Sequence, residues 1–294
     1  MVHTEVMTQH ETIVGWDGTE PAKIALDWAV ARERARSGSI HIVGVMDDTR
    51  ASADYFATDA DARAFESRLQ AEAQRVGAAN PNVHVDAELR RGDPLQTMVP
   101  FAASDHLVVV GTHRRNKPYF TFGWSLGAQL AAEARGPVAV IPEPPDDVTE
   151  RHGVLVGIDG SATARDAAFF AGREATRTGQ NLTLLHAWQL QPVWQDALPP
   201  SAEYLDSLAR RHQDILDAAQ AEVNSNLPGL ITATVLVQGP PAKAILDASK
   251  TAALVVVGNH RPQHPRMFLL GSVSHAVVVR MEVPTIVYAP KADD

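Results

Sequence analysis

The sequence predicts an α/β protein of two tandem doubly wound domains, each built on a five-stranded parallel sheet. Three observations predict it. LVVVGTHR at Leu107–Arg114 returns as LVVVGNHR at Leu254–Arg261, with Gly111 and Gly258 standing 147 residues apart. At the same offset Gly92 matches Gly239, Ser125 matches Ser272, and the Pro-x-x-Val run at Pro137 recurs at Pro284. Upstream, IVGWDGT at Ile13–Thr19 mirrors LVGIDGS at Leu155–Ser161, at an offset of 142. Landmarks repeated in one order mean a duplication, with residues 1–146 as the first domain and 147–294 as the second.

Each half alternates short apolar runs with amphipathic stretches. In the first, strands are expected over 12–17, 39–46, 83–89, 106–111 and 137–142, and helices over 21–36, 61–77, 95–103 and 125–135. LVVV and VAVI are unbroken apolar runs dominated by β-branched residues, the pattern of strands buried on both faces of a parallel sheet. Thr19 followed by Pro21 is a helix start, and Gly38 a helix stop. In the second half, strands are expected over 154–159, 181–188, 231–237, 253–258 and 285–288. Helices are expected over 162–177, 207–224, 242–249 and 272–280. Alternating βα units of this size imply right-handed crossovers onto a doubly wound sheet. The polar, Pro-containing stretch EPPDDVTERHG at 143–153 reads as the linker.

Bulk properties narrow the partners. The chain has 294 residues, 45% of them hydrophobic and 21% charged, a globular composition. A net charge of −9 argues against nucleic acid or an anionic membrane surface as partner. Cysteine is absent, which excludes disulfides and zinc thiolates. The first residues lack the basic and apolar regions of a signal peptide, so a cytoplasmic location is expected.

Ligands of doubly wound sheets sit beyond the strand C-termini, at the switch point. In both halves the first strand ends in Asp-Gly-[Thr/Ser] (Asp17, Asp159) and the fourth in Gly (Gly111, Gly258). After Gly258 come Asn, His and Arg261, nine residues, then Gly271–Ser272; after Gly111 come Thr, His and Arg114, nine residues, then Trp124–Ser125. Glycines let backbone amides approach phosphate oxygens, and a Ser at the start of the next helix adds its hydroxyl beside the helix N-terminal amides. The structural alternatives are a strand-to-loop turn at Gly258 and Gly111, a helix N-cap at Ser272 and Ser125, and an Asx-turn at Asp159 and Asp17.

On these residues the chain resembles a tandem universal stress protein over nearly its whole length. ATP-binding members carry Gly-x-x-Gly, nine residues, then Gly-[Ser/Thr]. The second half departs from that pattern only in having Arg261 for the second Gly, whereas the first half has Arg114 and Trp124 for two of them. The resemblance implies an adenine nucleotide alpha hydrolase-like fold. It also implies an adenine-nucleotide site, with ATP the expected ligand and Mg its accompanying ion. In the second half that site comprises Asp159 on the adenosine, Ala187 at the adenine and Gly239 on the rim. Gly258, Arg261, Gly271, Ser272, Val273 and Ser274 follow around the phosphates. The weaker first site comprises Asp17, Val45, Gly111, Arg114 and Ser125. Arg261 reads either as a bidentate phosphate partner or as a solvated arginine. Trp124, with Tyr119, Phe120 and Phe122, reads either as filler of a shrunken pocket or as a partner surface.

No catalytic base, metal cluster, P-loop or nucleophile elbow is evident, so no enzyme is expected. His113, His260 and His264 read as surface histidines. Trp188, Trp194 and Tyr204 are assigned to an insertion after the second strand of the second half, serving as a lid or dimer contact. The expected function is stress-response regulation through a nucleotide held mainly in the second domain, with a homodimer and a protein partner left open. The alternative is an interaction protein whose two sites have both decayed.

Overall fold

A computed structural model describes residues 12–48, 58–102, 106–113, 125–145, 150–190, 200–259 and 270–289. The chain forms two compact units, Met1–Leu130 with Ala134–Ile141 and Ala131–Glu133 with Pro142–Asp294.

The first unit runs β1 (Thr12–Trp16), α1 (Glu20–Arg34), β2 (Ser39–Met46), α2 (Asp59–Ala79), β3 (His84–Arg91), α3 (Pro94–Met98), β4 (Leu107–Thr112), α4 (Leu126–Glu133) and β5 (Val138–Pro142). Its strands lie in the order β3-β2-β1-β4-β5. The β1–β2, β1–β4 and β2–β3 pairings are parallel. Val108, Val109, Val138, Ala139 and Val140 are fully buried, as their unbroken apolar runs require. A Cβ on Gly15 would touch Met98 of α3, whereas its neighbour Trp16 meets Phe65 of α2. Consecutive β1 residues therefore serve helices on opposite faces.

The second unit repeats the series as β6 (Val154–Ile158), α5 (Ala162–Thr178), β7 (Leu182–Trp188), α6 (Ala202–Asn226), β8 (Thr232–Gln238), α7 (Pro241–Ala248), β9 (Leu254–Gly258), α8 (Ser272–Arg280) and β10 (Thr285–Tyr288). Its order is β8-β7-β6-β9-β10. The β6–β7, β7–β8, β6–β9 and β9–β10 pairings are all parallel. Helices α5 and α6 pack together, and α7 packs on α8. The doubly wound α/β fold expected from the repeat is what forms. Among the described residues no helix is long and apolar enough to cross a membrane.

Local departures have local causes. The helix expected over 95–103 is α3 followed by a separate 3-10 turn, Val99–Phe101, that holds Pro100. Helix α6 starts five residues before the expected position, because Ser201 Oγ accepts from Tyr204 N at 3.2 Å and caps it. Tyr204 therefore lies in the first turn of α6, and Trp188 is the buried last residue of β7. Neither belongs to an insertion loop, which corrects that assignment; Trp194 lies outside the described residues. Helix α1 ends at Arg34, before Gly38, whose amide donates to the Glu33 carbonyl at 3.3 Å and whose missing side chain makes room for Glu33. A Cβ there would lie 2.0 Å from Glu33 Oε2, and the positive φ, +53°, falls on Ser37 instead.

Candidate functional site

In the second unit the switch point lies between β6 and β9, neighbours in register at Val154–Leu254 through Val156–Val256. From β6 the chain continues into α5, and from β9 into α8 on the other face. This geometry opens a crevice beyond the two strand ends.

Asp159 follows β6 directly and is exposed. Its Oδ1 accepts from Ser161 N at 2.9 Å, an Asx-turn over Gly160, whose φ is +86°. Ser161 in turn caps α5, its Oγ accepting from Ala164 N at 3.1 Å. Gly258 ends β9, and a Cβ on it would stand 3.1 Å from Thr163 Cγ2 in the first turn of α5. Its lack of a side chain is thus already used by helix–strand packing.

Helix α8 starts at Ser272, the expected position, but the alternative role of Ser272 as its N-cap is not what forms. Gly271, not Ser272, is the N-cap, and among the described residues no side chain caps the helix. Ser272 is the first helical residue and is exposed. Ser274 is buried and donates its hydroxyl to the Gly258 carbonyl at 2.7 Å, which ties β9 to α8. Val273 between them is half-buried. Asn259, a residue that the sequence reading passed over, is fully buried, and its Oδ1 accepts from Gly271 N at 3.4 Å. A polar residue straight after a buried strand was the available signal.

Ala187 is the half-buried penultimate residue of β7, opposite Val237. Gly239 follows β8, and its amide donates to the Trp188 carbonyl at 2.8 Å. On the face opposite Ala187, the rings of Trp188 and His212 stack 5.0 Å apart at 13°. His186 Nε2 lies 2.7 Å from His212 Nδ1, and His186 Nδ1 lies 2.6 Å from the Ile158 carbonyl. A carbonyl only accepts, so His186 Nδ1 carries the hydrogen. Burial, followed by the charge that His186 can carry, pulls the His212 pKa below the ordinary histidine value.

The first unit handles the same positions differently. Asp17 Oδ1 accepts from both Thr19 N at 2.9 Å and Thr19 Oγ1 at 2.6 Å, so Thr19, the N-cap residue of α1, makes no side-chain capping bond. Ser125 does cap α4, accepting from Ala128 N at 3.3 Å. Gly111 lies against the backbone of α1: a Cβ would meet Pro21 O at 2.1 Å. Val45 is half-buried opposite Arg90. Where the second unit has Ile158, His186 and His212, the first has Trp16, Gly44 and Phe65. Trp16 and Phe65 rings stand 5.6 Å apart, and the Trp16 indole nitrogen is buried without a partner among the described residues.

Arg114, Arg261, His260, His264, Tyr119, Phe120, Phe122 and Trp124 lie outside the described residues. His113 is exposed. Among the described residues, no three His, Asp or Glu side chains come together in a way that could hold a metal ion.

Comparisons with known proteins agree with one another. The profile described as the universal stress protein family matches residues 10–142 and again 150–289. A universal stress protein of Mycobacterium tuberculosis is 30% identical over 297 residues, covering 94% of this chain and 93% of that protein. One from Mycobacterium bovis is 31% identical over 293 residues, covering 95% and 97%. The crystal structure of a universal stress protein from Archaeoglobus fulgidus superposes with a TM-score of 0.70 at 19% identity, covering 97% of this chain and 100% of that one, which speaks for the fold alone. Matched twice along its length by one family profile and end to end by these relatives, the chain belongs to the universal stress protein family.

Proposed function

We propose that this protein binds an adenine nucleotide, ATP with Mg being the expected form, and acts in stress response as a regulatory rather than catalytic protein. Divided at residues 1–146 and 147–294, it holds the nucleotide in the second domain. The observation that carries this reading is the contrast between two equivalent helix starts. Ser125 caps α4 with its own side chain, whereas α8, with Gly271 as its N-cap, has no side-chain cap among the described residues and starts at an exposed Ser272. An uncapped helix N-terminus presents amide donors and a partial positive charge to an anion.

In this reading the Ser272 hydroxyl and the Gly271–Ser274 backbone meet the phosphates, with Arg261 reaching them from the preceding segment. Asp159 accepts from the ribose or the adenine amine, Ala187 borders the base, and Gly239 lines the rim. Gly258 and Ser274 set the distance between β9 and α8. Asp17, Val45, Gly111, Arg114 and Ser125 make a weaker counterpart. Isothermal titration with Mg-ATP tests the reading: one nucleotide per chain is expected. Two equal sites would overturn the asymmetry, and no binding of any adenine nucleotide would leave the decayed-site interaction protein as the better account.

A further inference from the structure

Asn259 directly follows β9 and is held on three sides. Its backbone amide donates to the Tyr288 carbonyl of β10 at 2.8 Å. Its side chain is fully buried, with Oδ1 accepting from Gly271 N at 3.4 Å and Nδ2 donating to the Ala131 carbonyl at 3.2 Å. An N–H only donates and a carbonyl only accepts, so the carboxamide has one orientation here. Ala131 belongs to the second unit, and its carbonyl is among the last of α4, which a helix leaves without an internal partner. One buried side chain thus serves two helix ends.

The duplication supplies an internal control. Beside Asn259, the Gly258 carbonyl accepts the Ser274 hydroxyl at 2.7 Å, so the end of β9 grips the first turn of α8 at Gly271 and again at Ser274. At the offset of 147, Asn259 and Ser274 correspond to Thr112 and Gly127. Gly127 has no hydroxyl to donate, and in that half Ser125 spends its side chain on capping the helix. The two-point grip therefore accompanies the helix start whose serine, Ser272, stays exposed. The amides of Ser272, Val273 and Ser274 there have no carbonyl within the helix to bond.

We propose that Asn259 is a positioning residue for the phosphates of the bound nucleotide, an assignment that rests on the nucleotide reading of the second unit. By taking the Gly271 amide, it fixes the start of α8 over the end of β9 and leaves the next three amides to the anion. A buried carboxamide bonded at both ends resists displacement, because breaking either bond leaves a polar group unsatisfied away from water. The start of α8 is thus set before the ligand arrives, which removes an ordering cost from binding. Adenosine, which has no phosphate, gains nothing from this arrangement.

Calorimetry on the full chain, with Mg-ATP directly and with adenosine by displacement, tests the assignment. Asn259→Thr, matching Thr112 of the first half, should weaken Mg-ATP by about tenfold or more and adenosine by less than about twofold. Hydrogen exchange on the wild-type chain supplies a second measurement should that variant fold poorly. The Gly271 amide should be protected with or without ligand, and those of Ser272 and Val273 only once Mg-ATP is added. Equal losses for the two ligands, an unchanged Mg-ATP affinity, or a Gly271 amide that exchanges as fast as its neighbours would overturn the assignment. A wild-type chain that binds neither ligand would sink the nucleotide reading itself, and the role of Asn259 with it.

Discussion

His186 Nε2 lies 2.7 Å from His212 Nδ1, and the other face of this pair is closed by Trp188 stacked on His212. With His186 Nδ1 committed to the Ile158 carbonyl, His212 Nδ1 donates to His186 Nε2 when both rings are neutral. A doubly charged pair would set two N–H groups against each other. The arrangement therefore disfavours the doubly charged pair, and burial together with the charge that His186 can carry lowers the His212 pKa in the same sense.

Acid sensitivity follows from the direction of that shift. A histidine whose folded pKa lies below its unfolded value of about 6.5 binds more protons in the unfolded state between the two. Its contribution is fully present above about pH 6.5 and is lost as pH falls through the folded pKa. His212→Phe retains an aromatic stack, since Phe65 already stands by Trp16 in the first unit. We expect the melting-temperature advantage of wild type over His212→Phe to shrink from pH 7.5 to pH 5.5, about one unit either side of the free histidine value. An advantage that stays constant over this range would show that His212 does not titrate as described.

Gly111 and Gly258 look equivalent in sequence but carry different steric loads. A Cβ at 111 would sit 2.1 Å from Pro21 O and 2.3 Å from Pro21 C, backbone atoms that cannot rotate away. At 258 the nearest atom is Thr163 Cγ2 at 3.1 Å, the tip of a side chain. Gly111→Ala should destabilise the first domain by about 1–3 kcal/mol, and Gly258→Ala the second by less than about 1.5 kcal/mol. Native-state hydrogen exchange of the α1 and α5 amides separates the two domains. Equal losses would mean that α1 shifts as readily as a threonine methyl.

Much of the fold was legible because buried parallel strands write themselves as unbroken apolar runs. LVVV at 107–110 and at 254–257 needed no further context, and the repeat checked each element against its twin. Boundaries failed where a cap or a proline decides. Ser201 extends α6 through one hydrogen bond, and Pro100 falls in a separate 3-10 turn after α3. The site was only half legible. The resemblance implies Gly258 and Ser272 as phosphate contacts, whereas the structure packs Gly258 against Thr163, nearly a hundred residues away. That Gly271 rather than Ser272 is the cap of α8 has no mark in the spacing, and the buried Asn259 that accepts from Gly271 N stands twelve residues upstream. His186 and His212 carry no local signal at all, being joined only by the packing of α6 on β7.

The proposed asymmetry of the two sites can be tested by exchanging the residues that distinguish them. Trp124 occupies in the first half the position that Gly271 holds in the second. An indole at a helix N-cap would cover the amides that the α8 start now leaves without a side-chain cap. Gly271→Trp should therefore abolish nucleotide binding while leaving the fold intact, because Gly271 is part-exposed and its nearest neighbour to a Cβ is Ser274 Oγ at 3.7 Å. Asp159→Ala removes one acceptor and should cost about 1–3 kcal/mol, a tenfold to hundredfold loss of affinity. Its Asx-turn bond to Ser161 N is lost as well, so Asp159→Asn serves as the control that keeps the turn but not the charge. Asp17→Ala should change titration curves little, since the first half has Trp124 where the second has Gly271. If Asp17→Ala weakened binding as much as Asp159→Ala, or if Gly271→Trp bound like wild type, the nucleotide would belong to the first domain.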